Sequence, residues 1–521
     1  MSDSLPPELW DNIIKYLSSP TIIGLMSVNR RFMSYALDEK YRKFKLAGQI
    51  GLHSDWLYWK ILETVKTADN APRVRYLILD TWRLSKETKI WEFCKEQNRE
   101  HTLMSSEDQR LLAPYPAESI TSMLADVLPR LTNVTKILLR DHPVAVSHPL
   151  LPITWSQFSR LQSLELAICL GTAKNSLPPL GVEFPELSKL TIRVNYHCAG
   201  CSVGFYNLMS STSQPGLAAE EISAFMKNVA AFINQFKNTL TQLVLSSPSL
   251  ESGDLYSGMG HFPHLASFDA GQGVSAFCKG EDSFLARNRG TIRHLSCDVL
   301  ALQPEVGGVK MEQVETLTLK QHAGSAGIMA QHADIIRRLS CDVLSPRNGL
   351  GGRTMFFRSM FSTIRVLRMD REGSSLEDED VLDFLRAVAH FGMLQPNQVE
   401  TLVISIRKLT PDLLLAVARA FPALRTLDIR SSLQVDVGSQ LEGAPNGCGA
   451  FAQGLRAAFA TERWCLFDIS LSIGGYHDSM NRRLTLWEVM LLCAQCIPSI
   501  ESFNGQGNKA LPQAILDEIN A

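Results

Sequence analysis

The chain runs to 521 residues, enough for several domains or one elongated array. Its 51 basic and 53 acidic residues leave a net charge of -2, and 45% hydrophobic with 20% charged residues is the balance of a folded globular protein. No basic excess is present to attract nucleic acid or a membrane surface, so neither is expected as a partner.

The opening MSDSLPPELWD has no basic run followed by an apolar stretch, so no secretory signal is predicted. The first predicted element is a short helix in LPPELWDNIIKYL. Pro7 suits the first helical position, where its missing N–H costs nothing, and Glu8 suits the first turn, where the helix dipole favours a negative charge. Leu9, Ile13 and Leu17 recur at i, i+4 and i+8; Trp10 and Ile14 widen that stripe and Tyr16 borders it. Ser18-Ser19-Pro20 ends the helix. A second short helix is predicted from Thr21, and a third from Asn29 through Leu37. Three helices in so few residues cannot cover all this apolar surface by themselves, so part of it should await a partner.

These residues resemble an F-box. The family pattern, roughly L-P-x-E-L-x-x-x-I-x-x-Y-L and then L-x-x-V-x-x-x-F, is met at Leu5, Pro6, Glu8, Leu9, Ile13, Tyr16, Leu17, Leu25, Val28 and Phe32. The resemblance implies docking onto a Skp-type adaptor and, through it, a cullin ubiquitin ligase. It also implies adaptor contacts among Leu5, Pro6, Leu9, Ile13, Leu17, Leu25, Val28 and Phe32. Which of these face the adaptor and which the module's own core stays open. Asn29 stands where the family often has serine or cysteine.

Residues 52–67 predict an amphipathic helix joining this module to the rest. From Val74 onward one phrase returns: an apolar residue, another at +3 and a third at +5. It occurs at Val74/Leu77/Leu79, Val134/Ile137/Leu139, Leu161/Leu164/Leu166, Leu187/Leu190/Ile192 and Leu240/Leu243/Leu245. It recurs at Val314/Leu317/Leu319, Ile364/Leu367/Met369, Val399/Leu402/Ile404, Leu424/Leu427/Ile429 and Trp464/Phe467/Ile469. LQSLELAIC and LSKLTIRVN extend it to the leucine-rich repeat phrase L-x-x-L-x-L-x-x-N/C. Steps of 27, 26 and 25 residues separate 137 from 164, 164 from 190 and 243 from 268, and 22-residue steps separate 295, 317 and 339. All fall in the leucine-rich repeat range of about 20–29.

Amphipathic runs lie between these strands at 117–131, 218–240, 377–391, 411–421, 449–463 and 486–497. Strand alternating with helix builds a parallel sheet with helices outside, and stacking supplies the core that no single unit can. The fold class expected is therefore α/β: a three-helix F-box over 1–46, a helical linker over 47–70, and a curved leucine-rich-repeat-like solenoid over 71–521, parallel strands inside and helices outside. Longer gaps place insertions at 83–114, 198–215, 371–380 and 434–447.

In such an array the residues flanking the inward leucines line the concave face. Glu165, Lys189, Thr191, Arg193, Thr318, Arg368, Asp428 and Arg430 are the candidates for binding a protein target, in a wider set that includes Arg338 and Asp468. Their mixed signs suit protein recognition.

Signs of chemistry are few. Two C-x-x-C pairs, Cys198/Cys201 and Cys493/Cys496, have the number of thiolates a structural zinc takes, but they lie at opposite ends of the array. Eleven cysteines dispersed along the chain predict reduced thiols in cytoplasm or nucleus. Gly447-Cys448-Gly449 before a helix imitates a dinucleotide fingerprint without the tight strand–turn–helix that fingerprint needs. No metal, cofactor or catalytic residue is expected. The sequence thus predicts a non-enzymatic substrate-recognition subunit of a Skp–cullin–F-box ligase, binding an adaptor at its N-terminus and an unknown protein target along the repeats. The alternative is a leucine-rich-repeat scaffold without a ligase link, its N-terminal helices serving only as a cap.

Overall fold

The computed structural model describes residues 6–46, 62, 64–67, 69–80, 124–140, 155–169, 177–195, 219–246, 253–271, 282–297, 311–319, 336–341, 363–369, 378–392, 398–407, 409–431, 449–473, 489–503 and 506–507. The chain divides into two compact units, Met1–Leu265 and Ala266–Ala521.

The first unit opens with helices α1 (Pro7–Lys15), α2 (Ser19–Gly24) and α3 (Arg30–Tyr41), as predicted. Six strands follow: β1 (Lys43–Leu46), β2 (Tyr76–Asp80), β3 (Lys136–Arg140), β4 (Ser163–Cys169), β5 (Lys189–Asn195) and β6 (Gln242–Ser246). Each pairs in parallel with the next one in sequence. Helices α4 (Ala219–Asn234) and α5 (Gly253–Gly258) flank β6.

The register aligns the repeated phrase from strand to strand. Phe44, Leu77, Ile137, Leu164, Leu190 and Leu243 form one continuous row of partners, and Leu46, Leu79, Leu139, Leu166, Ile192 and Leu245 a second. The first row is buried throughout. A parallel sheet can stack in this way because every unit spends its two inward side chains at the same strand positions.

The second unit repeats the plan. Its strands are β7 (Ser267–Ala270), β8 (His294–Cys297), β9 (Thr316–Leu319), β10 (Arg338–Cys341), β11 (Val366–Met369), β12 (Thr401–Ile406), β13 (Thr426–Ser431), β14 (Asp468–Ile473) and β15 (Ser502–Phe503). They pair in parallel in chain order. A two-residue strand β16 (Gln506–Gly507) turns back antiparallel on β15. The inner row runs Phe268, Leu295, Leu317, Leu339, Leu367, Leu402, Leu427, Ile469 and Phe503.

The intervening helices are α6 (Phe284–Arg287), α7 (Asp378–Gly392), α8 (Pro411–Ala420) and α9 (Gly449–Ala458); residues 489–496 are also helical. Helix α8 shows why these runs fold locally. The Thr410 side chain accepts the Leu413 N–H at 3.2 Å, Pro411 fills the first helical position, and Asp412 sits at the positive end of the helix dipole. Its buried residues Leu413, Leu414, Val417 and Ala418 then recur at helical spacing.

A second periodic feature is made by the backbone. Just before each of β1–β5 and β7–β14, one carbonyl accepts two N–H groups from consecutive residues leading into the next strand. The Arg42 carbonyl takes Arg75 and Tyr76, both at 2.9 Å, and the Arg425 carbonyl takes Phe467 and Asp468 at 2.8 and 2.9 Å. The positions that do this from β8 onward are Arg293, Glu315, Arg337, Arg365, Glu400, Arg425 and Phe467, and Glu501 donates at the equivalent place after them.

That alignment corrects one expectation. Phe467 is not an inward residue of the phrase Trp464/Phe467/Ile469. The inner partner of Leu427 is Ile469, so the phrase is Leu466/Ile469/Leu471, two residues further on. Phe467 is 48% exposed. Trp464 is buried for another reason: its indole N–H donates to the Phe421 carbonyl at 3.2 Å, and its ring stacks on Phe459.

Two more expectations are refined. Strand β1 lies inside the stretch assigned to the N-terminal module, yet it pairs with β2 and buries Phe44 in the sheet's core row. Of the linker helix, Leu62, Thr64 and Val65 are helical, with Leu62 and Val65 buried; residues 47–61 lie outside the described residues. The stretches expected as insertions also lie outside them, except 378–380, which open α7.

Candidate functional site: the N-terminal apolar face

Three short helices build this site, and each has an identifiable start. Pro7 and Glu8 open α1 and Lys15 sits in its last turn. Ser18 caps α2. Asn29 caps α3, its side-chain oxygen accepting the Phe32 N–H at 2.9 Å. This explains the asparagine: the position needs a short side chain with an acceptor, and serine or asparagine both provide one.

The wide apolar band of α1 proves to be two rows. Trp10, Ile14 and Leu17 turn towards α2 and α3: Trp10 is buried, Ile14 and Leu17 are half-buried, and the Trp10 ring meets Phe32 edge-on at 5.1 Å. Phe32, 7% exposed, closes this small core with Ile22 and Ala36. Leu9, Ile13 and Tyr16, at i, i+4 and i+7, form the other row and are 47%, 40% and 89% exposed. Ile23, Met26, Val28 and Met33 are exposed as well. Seven of the nine exposed large hydrophobic residues of the described chain thus lie between positions 9 and 33. Apolar exposure concentrated in this way marks an interaction surface, whereas the same residues scattered singly would need no explanation.

The module is braced from behind. Tyr35 donates its hydroxyl to Asp11, joining α3 to α1, and this bond together with burial holds the Tyr35 phenol above its usual range. Ser19 donates to Glu39 at 2.6 Å, joining α2 to α3. Arg73 reaches the Ser34 carbonyl at 3.1 Å and the Asp38 carboxylate, and only Arg42 separates α3 from β1. The outward face is therefore held against the start of the strand array.

Comparison with known protein families matches residues 2–44 to the F-box domain. Residues 2–44 are an F-box domain. F-box domains bind Skp-type adaptors, and in this one Leu9, Ile13, Tyr16, Ile23, Met26, Val28 and Met33 are exposed. No curated protein matches the chain.

The sequence-predicted F-box residues divide as follows. Leu9, Ile13 and Val28 are exposed, as is Pro6; Leu17 and Leu25 are half-buried; Phe32 belongs to the module core; Leu5 lies outside the described residues. Tyr16, Ile23, Met26 and Met33 were not singled out as contacts. Tyr16 was legible at i+7 from Leu9, while Met33 was hidden by its core neighbour Phe32.

The strand-face candidates fall into separate groups. In the first unit Glu165 and Thr191 are register partners, Arg193 pairs with Glu165 at 3.3 Å, and Lys189 lies opposite Ser163. In the second unit Thr318, Ser340, Arg368, Val403 and Asp428 share one row, and Arg430 pairs with Asp428 at 3.5 Å.

No cluster of three or more His, Cys, Asp or Glu side chains that could hold a metal occurs among the described residues. Cys198 and Cys201 lie outside them. Cys493 is fully buried, and burial pushes its thiol up to about 12, which keeps it neutral and unreactive. Iodoacetamide at pH 8 is therefore expected to label exposed Cys465 in the native protein and spare Cys493, as read by peptide mass spectrometry. Helix α9 does begin at Gly449, and the nearest strand before it among the described residues, β13, ends at Ser431. No described helix is long and apolar enough to cross a membrane.

Proposed function

We propose that this protein is the substrate-recognition subunit of a Skp–cullin–F-box ubiquitin ligase. The F-box seats the adaptor on the row Leu9, Ile13 and Tyr16, extended by Val28 and Met33. The strand arrays, read as leucine-rich-repeat-like solenoid turns over 71–521, hold a target protein, with Glu165, Lys189, Thr191, Arg193, Thr318, Arg368, Asp428 and Arg430 as candidate contacts. The chain breaks no bond itself. It raises the effective concentration of a target's lysines beside a ubiquitin-charged enzyme, inside the cytoplasm or nucleus where such ligases work.

The observation that carries this reading is the exposed apolar row on a module whose core is already closed by Trp10 and Phe32. Capture of the full chain from cells should bring down a Skp-type adaptor and a cullin together. Their absence from a folded bait would contradict the proposal.

One observation favours the scaffold alternative. The F-box runs straight into β1, whose Phe44 begins the buried row, so it also caps the sheet. Removing residues 1–45 would strip a strand from the sheet under either reading and cannot separate them. Substitutions confined to exposed side chains can.

A further inference from the structure

In the second unit the position just before each strand forms a rim, bound turn to turn by the shared carbonyls. From β8 to β15 its residues are Arg293, Glu315, Arg337, Arg365, Glu400, Arg425, Phe467 and Glu501. All but one are charged. Phe467 breaks the series and, with 48% of its surface exposed, is the one exposed large hydrophobic residue among the described residues of this unit. A lone exposed aromatic is unremarkable. One that replaces a charge in an otherwise charged row, next to the exposed Arg425, has the composition of a binding hot spot.

The charges along the rim are not evenly compensated. Arg365 is paired with Glu400 at 3.0 Å. Arg337, its neighbour Arg338 and Arg425 are exposed and make no ion pair among the described residues. Acidic residues bracket this stretch: Glu315 on the turn before Arg337, and Glu501 on the turn after Phe467.

We propose that the rim from Arg337 to Phe467 binds an extended acidic segment of a protein target, with one apolar side chain seated on Phe467. The proposal deepens the target-recognition reading of the repeats and rests on it. Glu315 and Glu501 limit the site, because a carboxylate-rich segment running further would meet like charge at either end. Neighbouring parallel strands are about 4.8 Å apart, so Arg337 and Arg425, three turns apart, stand about 14 Å from each other, and Phe467 lies about 5 Å beyond. An extended segment rises about 3.3 Å per residue, so its acidic positions fall about four residues apart and its apolar residue one or two further on.

The test uses the full-length chain and a fluorescein-labelled peptide of two glutamates, three neutral residues, two glutamates and a leucine. Saturable binding is expected, weakened about tenfold by Arg337→Glu/Arg338→Glu and several-fold by Phe467→Ser, with no binding of the analogue carrying glutamines for glutamates. No binding of the acidic peptide, equal binding by the glutamine analogue, or unchanged affinity in both variants would overturn the proposal. Binding of a phosphoserine version alone would overturn its assignment to a carboxylate segment. Both variants should keep the wild-type thermal midpoint and retain the adaptor. Loss of adaptor binding by the wild-type chain, with peptide binding intact, would sink the ligase reading and leave this one standing.

Discussion

Replacing Leu9 and Ile13 together by aspartate is expected to lower affinity for a Skp-type adaptor by on the order of a hundredfold or more, while the fold survives. Both residues are exposed in the free protein, at 47% and 40%, and neither belongs to the Trp10–Phe32 core, so charging them removes little from its own stability. On binding, each carboxylate would have to be desolvated against an apolar surface with no partner, at a cost of several kcal/mol. Titration calorimetry measures the affinity, and circular dichroism melting confirms the fold. The contrast is Phe32→Asp, which places a charge inside the Trp10–Phe32 core and should unfold the module outright. Equal adaptor affinity in the wild-type chain and the double variant would show that the exposed row is not the seat.

Leu427→Ala is the counterpart in the array. Leu427 is fully buried within the second unit's inner row, between Leu402 on β12 and Ile469 on β14. Truncating it leaves a cavity that the rigid register cannot close, and the expected cost is about 2–5 kcal/mol. A urea titration should show a clearly lowered midpoint. Phe467→Ser should cost less than about 0.5 kcal/mol in the same titration, because a half-exposed ring contributes little to the core. A large loss from Phe467→Ser would mean that Phe467, and not Ile469, is the inner partner of Leu427.

That pair also shows what a sequence can and cannot carry. The +3/+5 phrase located the buried residues in strand after strand, because an inward strand face has a strict two-residue period and each strand reuses it. At 464–471 the period fits two frames equally: Trp464/Phe467/Ile469 and Leu466/Ile469/Leu471. Only pairing with Leu427 chooses between them, and pairing is not local information. The predicted helices at 377–391 and 411–421 match α7 and α8 to within a residue, since a threonine cap and a proline at the first helical position mark the start of α8 sharply.

The F-box posed a different problem. Its α1 band, from Tyr16 round to Ile14, spans roughly 160° at 100° per residue, and such a band looks the same whether one neighbour covers it or two. The division into a Trp10 row and a Leu9 row is made by Phe32, which arrives from another helix. Strand β1 was legible in the alternation Lys43-Phe44-Lys45-Leu46. Four residues directly after a helix gave too short a pattern to detach from it. The rim was out of reach altogether, since it is a row only once the strands are paired.

The most direct test of the central claim is amide hydrogen exchange on the full chain with and without a purified Skp-type adaptor. The adaptor should slow exchange in α1 and in the segment from Ile23 to Met33, and leave β4, β5 and the second unit's strands unchanged. Binding that protects the strands while α1 exchanges as freely as before would contradict it.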